Sequence, residues 1–305
     1  MAEHEATTAS VEELGRRLAD AVRPRARLLT AYSGGVDSTL VAVVARRTLG
    51  RESAPAAIGD SASLPRHELD EARSLAEAHD LKLIEVNPGE QDDPDYRANA
   101  GDRCYFCKSH LYESLHGLAD ELGIAHIANG TNADDVGDHR PGLVAAGEHR
   151  VVSPLLEAGL GKAEVRALAR RLGLANADKP AAACLASRIA YGTEVTGSRL
   201  SMVERAEAAL RDLGFAGFRV RHHEQGGAFP ASIARIEVPI DQLPRMLEET
   251  TRQRVHEAIG RLGYAYVTVD LAGFRSGSGN ATLGQTAGRP GRRRGGGAGK
   301  GRGAG

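Results

Sequence analysis

The sequence is short of several features that would place a protein quickly. Its 305 residues include no tryptophan, three methionines and only 4% aromatics. It has no apolar run of the roughly 18 residues that a membrane-spanning helix needs. It has no charge bias: 39 Lys and Arg against 40 Asp and Glu leave a net charge of −1, so the body as a whole offers no electrostatic footprint for nucleic acid. The opening MAEHEATTAS is acidic and polar and does not read as a secretory signal, so a cytoplasmic protein is expected. Cysteine is scarce as well. Three is an odd number, which argues against a disulfide framework and for metal or catalytic use. No internal repeat is visible. What remains is an ordinary globular composition, 41% apolar and 26% charged, long enough for one large domain or two smaller ones.

Strand and helix patterns alternate over the first two-thirds. Residues 28–32 read as a buried strand and 36–48 as the helix after it. A weak strand follows at 55–59, a helix at 65–79 and an alternating strand at 81–86. Leucines recur at helical spacing from 103 to 122. Strands at 125–128 and 151–155 and a helix at 162–172 complete the run. Such alternation predicts an α/β fold, a parallel sheet with helices on both faces, over residues 1–186. Residues 187–283 have a different texture: a helix at 202–213, strands in FRVRHH and ARIEVPI, a helix at 242–262 and a strand in YAYVTVDL. They predict a small α+β domain. Residues 284–305 are Gly/Arg-rich without apolar residues and are expected to be disordered.

The junction of the first strand and helix carries AYSGGVDSTL. Ser33, Gly34 and Gly35 let the backbone approach a ligand, and their N–H groups with the following helix N-terminus make an anion nest. Ser38 belongs to the same turn, and Asp37 is placed to hold Mg²⁺. This is not a Walker A loop. Nor is GGGAGKG in the tail, where Arg294 takes the place of the first Gly and Gly301 that of the Ser/Thr. NGTNADD, with Gly130, Asn132 and Asp135, follows a strand at the carboxyl edge of the predicted sheet, where ligands sit in α/β folds. An Asx-rich turn would have the same composition. Lys162 opens a helix and is either a solvated surface residue or a phosphate contact.

GDRCYFCKSH holds Cys104 and Cys107, which share one face if a helix starts at Arg103. Cys184 lies far along the chain in a segment of loop composition. A redox pair would leave Cys184 without a role. A structural zinc site wants a second ligand pair that is absent. Inert core thiols are a further possibility.

The loop SGGVDS resembles that of the PP-loop ATP pyrophosphatases, which cradle pyrophosphate, cleave ATP between its α and β phosphates and adenylate a substrate. In that setting Ser33, Gly34, Gly35, Asp37, Ser38, Gly130, Asn132, Asp135 and Lys162 would bind ATP with Mg²⁺, Lys162 as a phosphate clamp. The set SGGVDS, RCYFCK, GTNADD, HRPG, SPLLEAGLGK, CLASRI and DLAGFRSGS is similar to the LarE family over about residues 10–280. That resemblance implies an ATP-dependent sulfur transferase of nickel-pincer nucleotide biosynthesis, the cofactor of lactate racemase. Its substrate would be pyridinium-3,5-biscarboxylic acid mononucleotide, whose two carboxylates become thiocarboxylates. The family has two sulfur sources. Either the cysteine matching Cys184 gives up its own sulfur, or Cys104, Cys107 and Cys184 together hold a 4Fe–4S cluster that carries a labile sulfide. Three cysteines favour the cluster.

For the substrate phosphate, Arg219 and Arg221 alternate along one strand and point to one side, as Arg235 and Glu237 do along another. Paired arginines suit bidentate phosphate capture, and a solvated strand face is the plain alternative. Ser187, Arg188 and Glu207 join the substrate candidates by resemblance. A homo-oligomer is expected, together with a sulfur donor or an iron–sulfur assembly system as partner. The rival readings are a tRNA thiolase, which the seven Arg and Lys from Arg275 to Arg302 would suit through salt-sensitive nucleic-acid binding, and an amide synthetase of the NAD or GMP synthetase type, in which the cysteines have no task.

Overall fold

A computed structural model describes residues 2–135, 141–228, 230–275 and 277–278. The tail expected to be disordered, residues 284–305, and the HR of HRPG lie outside the described residues. In chain order the elements are α1 (Ala2–Val22), β1 (Leu29–Ala31), α2 (Val36–Leu49), β2 (Ala56–Gly59), α3 (Arg66–Ala78), β3 (Leu83–Val86), α4 (Pro94–Arg97), α5 (Arg103–Leu122) and β4 (Ile127–Ala128). Then come α6 (Pro141–Glu148), α7 (Pro154–Glu157), α8 (Lys162–Arg171), α9 (Gly197–Asp212), β5 (Arg219–Gln225), β6 (Ala231–Glu237), α10 (Leu243–Leu247), α11 (Glu249–Gly260) and β7 (Tyr266–Val269).

β1 to β4 form a parallel sheet in the order β3-β2-β1-β4, with Thr30 opposite Ala56 on one side and Ala128 on the other. Leu29, Thr30, Ala56 and Ala57 are all buried, because helices cover both faces and a strand of this kind has no wet side. Leu18 of α1, Leu40 of α2, Leu69 of α3 and Leu168 of α8 pack into one core with Ala56 and Ile58. Tyr112 and Leu115 of α5 and Ala145 of α6 pack with Leu29, Ala57 and Ile127 on the other side. The strand order reverses between β1 and β4, which opens a crevice at the carboxyl ends of the strands.

β5, β6 and β7 form a separate mixed sheet, β5 antiparallel and β7 parallel to β6. Val220, Ala234 and Ile236 bury one face of it with Ala206 and Leu210 of α9, Met246 of α10 and Ile259 of α11.

Several elements differ from the sequence expectation, among them the short helices α4 and α6, which have no counterpart in it. α1 has no counterpart in it, although Val11, Leu14, Leu18 and Val22 recur at helical spacing and are buried. The strand expected at 151–155 is reduced to a single bridge between Val152 and Ala128, because Pro154 has no N–H for a ladder and starts α7. The helix expected at 242–262 is two helices, separated at Glu248, whose backbone is extended.

Candidate active site

The turn between β1 and α2 is built by its small residues. Gly34 takes the left-handed conformation at φ 71°, and a Cβ there would sit 2.8 Å from that of Ala72. The Ser33 N–H donates to Ser38 Oγ at 3.1 Å, which closes the turn over the start of α2. Thr39 Oγ1 donates to the Gly35 carbonyl at 2.8 Å. The backbone N–H groups of the first turn of α2 have no intrahelical acceptors and face the crevice end of the sheet.

The loop after β4 meets this turn across the reversal point. A Cβ on Gly130 would lie 2.7 Å from the Ser38 nitrogen, so only glycine lets the two backbones approach this closely. The Asn132 side-chain amide donates to Asp37 Oδ1 at 2.9 Å, and the Asn132 N–H to Asp135 Oδ2 at 3.3 Å. Lys162, the first residue of α8, gives its N–H to Asp134 Oδ2 at 2.7 Å and holds its exposed Nζ 3.4 Å from Asp135 Oδ1. All nine residues expected around ATP are therefore gathered by two loops and one helix start at one sheet edge.

The cysteines occupy the neighbouring part of that edge. Cys104 and Cys107 lie in the first turn of α5, and Cys184 caps the short 3-10 helix Leu185–Arg188. The loop after β2 anchors this segment: the Leu185 N–H donates to the Ser63 carbonyl at 2.8 Å, and Ser63 Oγ bonds the buried Tyr96 hydroxyl. Cys107 and Cys184 pack against Tyr96, Leu185 and Leu200 in one apolar cluster. Burial pushes the Cys107 thiol up to about 12, and Cys184, Glu90 and Cys104 add to the rise through their charge. All three thiols are free, Cys104 exposed and the others half-buried. Among the described residues, no three His, Cys, Asp or Glu side chains converge in an arrangement that would hold a metal ion.

Several residues of this region have no signal in the sequence pattern. Arg103 is 3% exposed and lies between Cys104 and the Cys184 segment. It donates to Asn99 Oδ1 and to the Ala186 carbonyl, and its guanidinium lies 5.8 Å from the Tyr191 ring centre. Burial alone would lower its pKa, but the charges of Cys184 and Cys104 outweigh that and hold it above the usual arginine range. Asn99, also buried, donates to the carbonyls of Ala190 and Thr193 at 2.9 Å each. Together they staple the loop after Cys184 onto α5. Glu90 is 1% exposed, and among the described residues neither carboxyl oxygen has a hydrogen-bond partner.

The expected substrate residues also gather beside Cys184, but most are committed to one another. Arg188 pairs with Glu207 at 2.9 Å and donates to the Cys184 carbonyl at 3.1 Å; Ser187 Oγ donates to the same carbonyl at 2.7 Å. Glu207 also accepts the Val220 N–H at 3.1 Å. Arg221 pairs with Glu237 at 3.0 Å and donates to the Ser187 carbonyl at 3.0 Å. Arg235 reaches Glu237 at 2.9 Å and also Asp270. Arg219 differs: among the described residues no carboxylate pairs with it. It donates to the Phe218 carbonyl and lies 5.1 Å from the Phe274 ring centre. Burial lowers its pKa, and Arg188 and Arg221 lower it further. A half-buried guanidinium beside two others is a place for an anion.

No family model matches the chain. The chain is 43% identical, over 84% of its length, to an uncharacterized protein of Synechocystis, of which it covers 93%. It is 38% identical, over 87% of its length, to the pyridinium-3,5-bisthiocarboxylic acid mononucleotide synthase of Lactiplantibacillus plantarum, again covering 93% of that protein. A shorter match, 30% identical over 54% of this chain, is to one subunit of a glutamine-hydrolysing GMP synthase of Sulfurisphaera tokodaii, of which it covers 47%.

Proposed function

Because the chain belongs to the family of pyridinium-3,5-bisthiocarboxylic acid mononucleotide synthase, we propose that it is an ATP-dependent sulfur transferase acting on the pyridinium-3,5-biscarboxylic acid mononucleotide. The observation that carries this reading is the position of a nucleotide-type loop and three free thiols at one sheet edge.

The reaction divides between them. A substrate carboxylate oxygen attacks the α-phosphorus of ATP, the bond to the β-phosphate oxygen breaks, and pyrophosphate leaves with Mg²⁺. The N–H groups of Gly35 and the first turn of α2, with Lys162, would take up the pyrophosphate charge, and Asp37, held by Asn132, would hold the Mg²⁺. A sulfur nucleophile then attacks the acyl carbon and AMP leaves, giving the thiocarboxylate. A second round converts the other carboxylate. Residues 1–186 would supply the adenylating domain, and residues 187–283 the substrate side, with Arg219 on the phosphate and Ser187, Arg188, Glu207, Arg221 and Arg235 shaping its pocket.

The donor set suits a 4Fe–4S cluster in chemistry: three free thiols in shared surroundings, with Arg103 to balance thiolate charge. Their failure to converge without metal is ordinary for a site assembled on loading. When bound by Cys104, Cys107 and Cys184, the cluster supplies an iron open to an exchangeable sulfide. The protein is read as cytoplasmic and oligomeric, with a sulfide donor as partner; no described helix is long and apolar enough to cross a membrane.

Incubation with ATP, Mg²⁺ and the biscarboxylic mononucleotide tests the reading. AMP, pyrophosphate and a thiocarboxylate product detected by mass spectrometry are expected. Formation of ADP, or of an amide when ammonia is supplied, would overturn it, the second in favour of the amide synthetase suggested by the shorter match.

A further inference from the structure

Asn176 lies in the segment between α8 and Cys184, with no motif to announce it. It is 5% exposed, and its side-chain amide reaches back to the turn after β1. Nδ2 donates to the Gly34 carbonyl at 2.8 Å and to Thr39 Oγ1 at 3.0 Å. Its Oδ1 is buried and has no partner among the described residues. The reverse amide orientation would set an oxygen against the Gly34 carbonyl, so the two donations fix which way the amide faces.

We propose that Asn176 is a positioning residue for adenylation, which sets the direction of the two peptide groups that present N–H to the pyrophosphate. The proposal rests on the adenylating role of this loop proposed above. The peptide unit is planar and trans, so a carbonyl pulled inward turns the N–H of the next residue outward. Asn176 pulls in the Gly34 carbonyl directly, which turns out the Gly35 N–H. That N–H has only a long contact of 3.4 Å, to Ser33 Oγ, and is available to a ligand. Thr39 Oγ1 accepts from Asn176 and donates to the Gly35 carbonyl at 2.8 Å, which adds to the Thr39 N–H at 3.0 Å and Ser38 Oγ at 3.2 Å in directing the Val36 N–H the same way. One side chain thus holds the Gly34 carbonyl directly and supports the Gly35 carbonyl through a hydroxyl relay.

Glycine makes the control necessary. With no Cβ, the Gly34–Gly35 peptide can rotate to either orientation at little cost, and the flipped form would aim a carbonyl oxygen at the phosphate site. The support under Asn176 is firm. Arg166 donates to the carbonyl of Ala177 at 2.7 Å and to that of Lys179 at 3.1 Å, and Lys179 pairs with Glu68 and Glu71 of α3, the helix whose Ala72 abuts Gly34. The segment that ends in Cys184 therefore begins by holding the nucleotide loop.

The test compares binding of Mg²⁺-pyrophosphate and of AMP by titration calorimetry, using the full chain. Asn176→Asp keeps the shape but replaces the donor with an acceptor. It should weaken pyrophosphate binding by about 10-fold or more, as loss of the two hydrogen bonds predicts. It should also raise the KM for ATP while leaving AMP affinity near wild type; the melting temperature should fall, because a carboxylate is then buried against the Gly34 carbonyl without a donor. Thr39→Val should give a smaller loss of the same kind, and Thr39→Ser, which keeps the hydroxyl, should restore binding. Unchanged pyrophosphate affinity in Asn176→Asp overturns the proposal. So does an equal fall of pyrophosphate and AMP affinity, which marks a merely structural role. If Asn176→Asp does not fold, the Thr39 pair decides: Thr39→Val binding like wild type overturns the relay. A wild-type protein that binds neither ligand would instead remove the adenylation reading, and this inference with it.

Discussion

Asn132 and Asp37 are 95 residues apart in the chain, yet the Asn132 amide donates to Asp37 Oδ1 at 2.9 Å and ties the loop after β4 to the first turn of α2. The bond leaves the other Asp37 oxygen for a cation and steadies the carboxylate that would hold it. Asp37→Ala should abolish AMP and pyrophosphate formation with the fold intact by circular dichroism, because the metal-binding carboxylate is gone. Asn132→Ala should keep activity but raise the KM for ATP by about 10-fold, the worth of one charge-assisted hydrogen bond. Adenylation by Asp37→Ala at a rate near wild type would contradict the role given to this loop.

The two arginines of β5 should separate cleanly. Arg221→Ala strips one partner from Glu237, which is fully buried, and should destabilise the fold by about 3 kcal/mol, the lower end for a broken buried pair because Arg235 remains. Among the described residues Arg219 has no carboxylate partner, so Arg219→Ala should leave the melting temperature unchanged and weaken binding of the mononucleotide by about 1.5–3 kcal/mol, with ATP binding unaffected. Denaturant melts and calorimetric titrations of both variants check this, and an equal stability loss in the two would show that Arg219 is also structural.

The sulfur source is decided at the cysteines. If a cluster carries the sulfur, anaerobically prepared protein should contain about four irons per chain. Changing any one of Cys104, Cys107 or Cys184 to Ala should then remove iron and sulfur transfer while sparing adenylation. If Cys184 gives up its own sulfur, iron-free protein should perform one turnover, lose about 34 Da at Cys184, and tolerate Cys104→Ala and Cys107→Ala. Iron analysis and peptide mass spectrometry after turnover separate the two.

The metal-free thiols should differ in reactivity. Cys104 is exposed, whereas the Cys107 thiol is pushed up to about 12 by burial and by its neighbours. At pH 8, iodoacetamide should modify Cys104 at least about 10-fold faster than Cys107, since only the thiolate reacts. The sign for stability follows from the raised folded-state value. The contribution of Cys107 is fully present below its ordinary thiol range and is lost as pH rises from about 9 toward 12. Cys107→Ala should flatten that part of the stability profile.

Glu90 should cost the fold stability. Among the described residues no donor reaches this buried carboxyl group, which therefore keeps a desolvation penalty, so Glu90→Leu is expected to be stabilising by about 1–3 kcal/mol in a denaturant melt. A comparable loss would mean that the carboxylate meets a donor on an assembled partner or ligand.

The sequence by itself determined what is local. Leu28 to Tyr32 followed by SGGVDS can only be a buried strand turning into a helix, and that junction is an anion nest by its backbone alone. The alternation of Arg219 and Arg221 on β5, and the helical spacing of Cys104 and Cys107, were legible for the same reason: side-chain direction follows from periods of 2 and 3.6 residues. Only the tertiary structure decided the pairings between distant segments. That Arg221 is bound to Glu237, while Arg219, directly opposite Glu237 in the β5–β6 register, pairs with no carboxylate among the described residues, depends on how the side chains pack and not on the register alone. That Asn99 and Arg103 staple the loop after Cys184, and that Asn176 reaches the Gly34 carbonyl, depends on how the segments of the chain pack at the carboxyl edge of the sheet. A hydrogen bond between residues far apart in the chain leaves no period behind. The choice among many polar side chains is made by which of them the packed core brings within about 3 Å of each other.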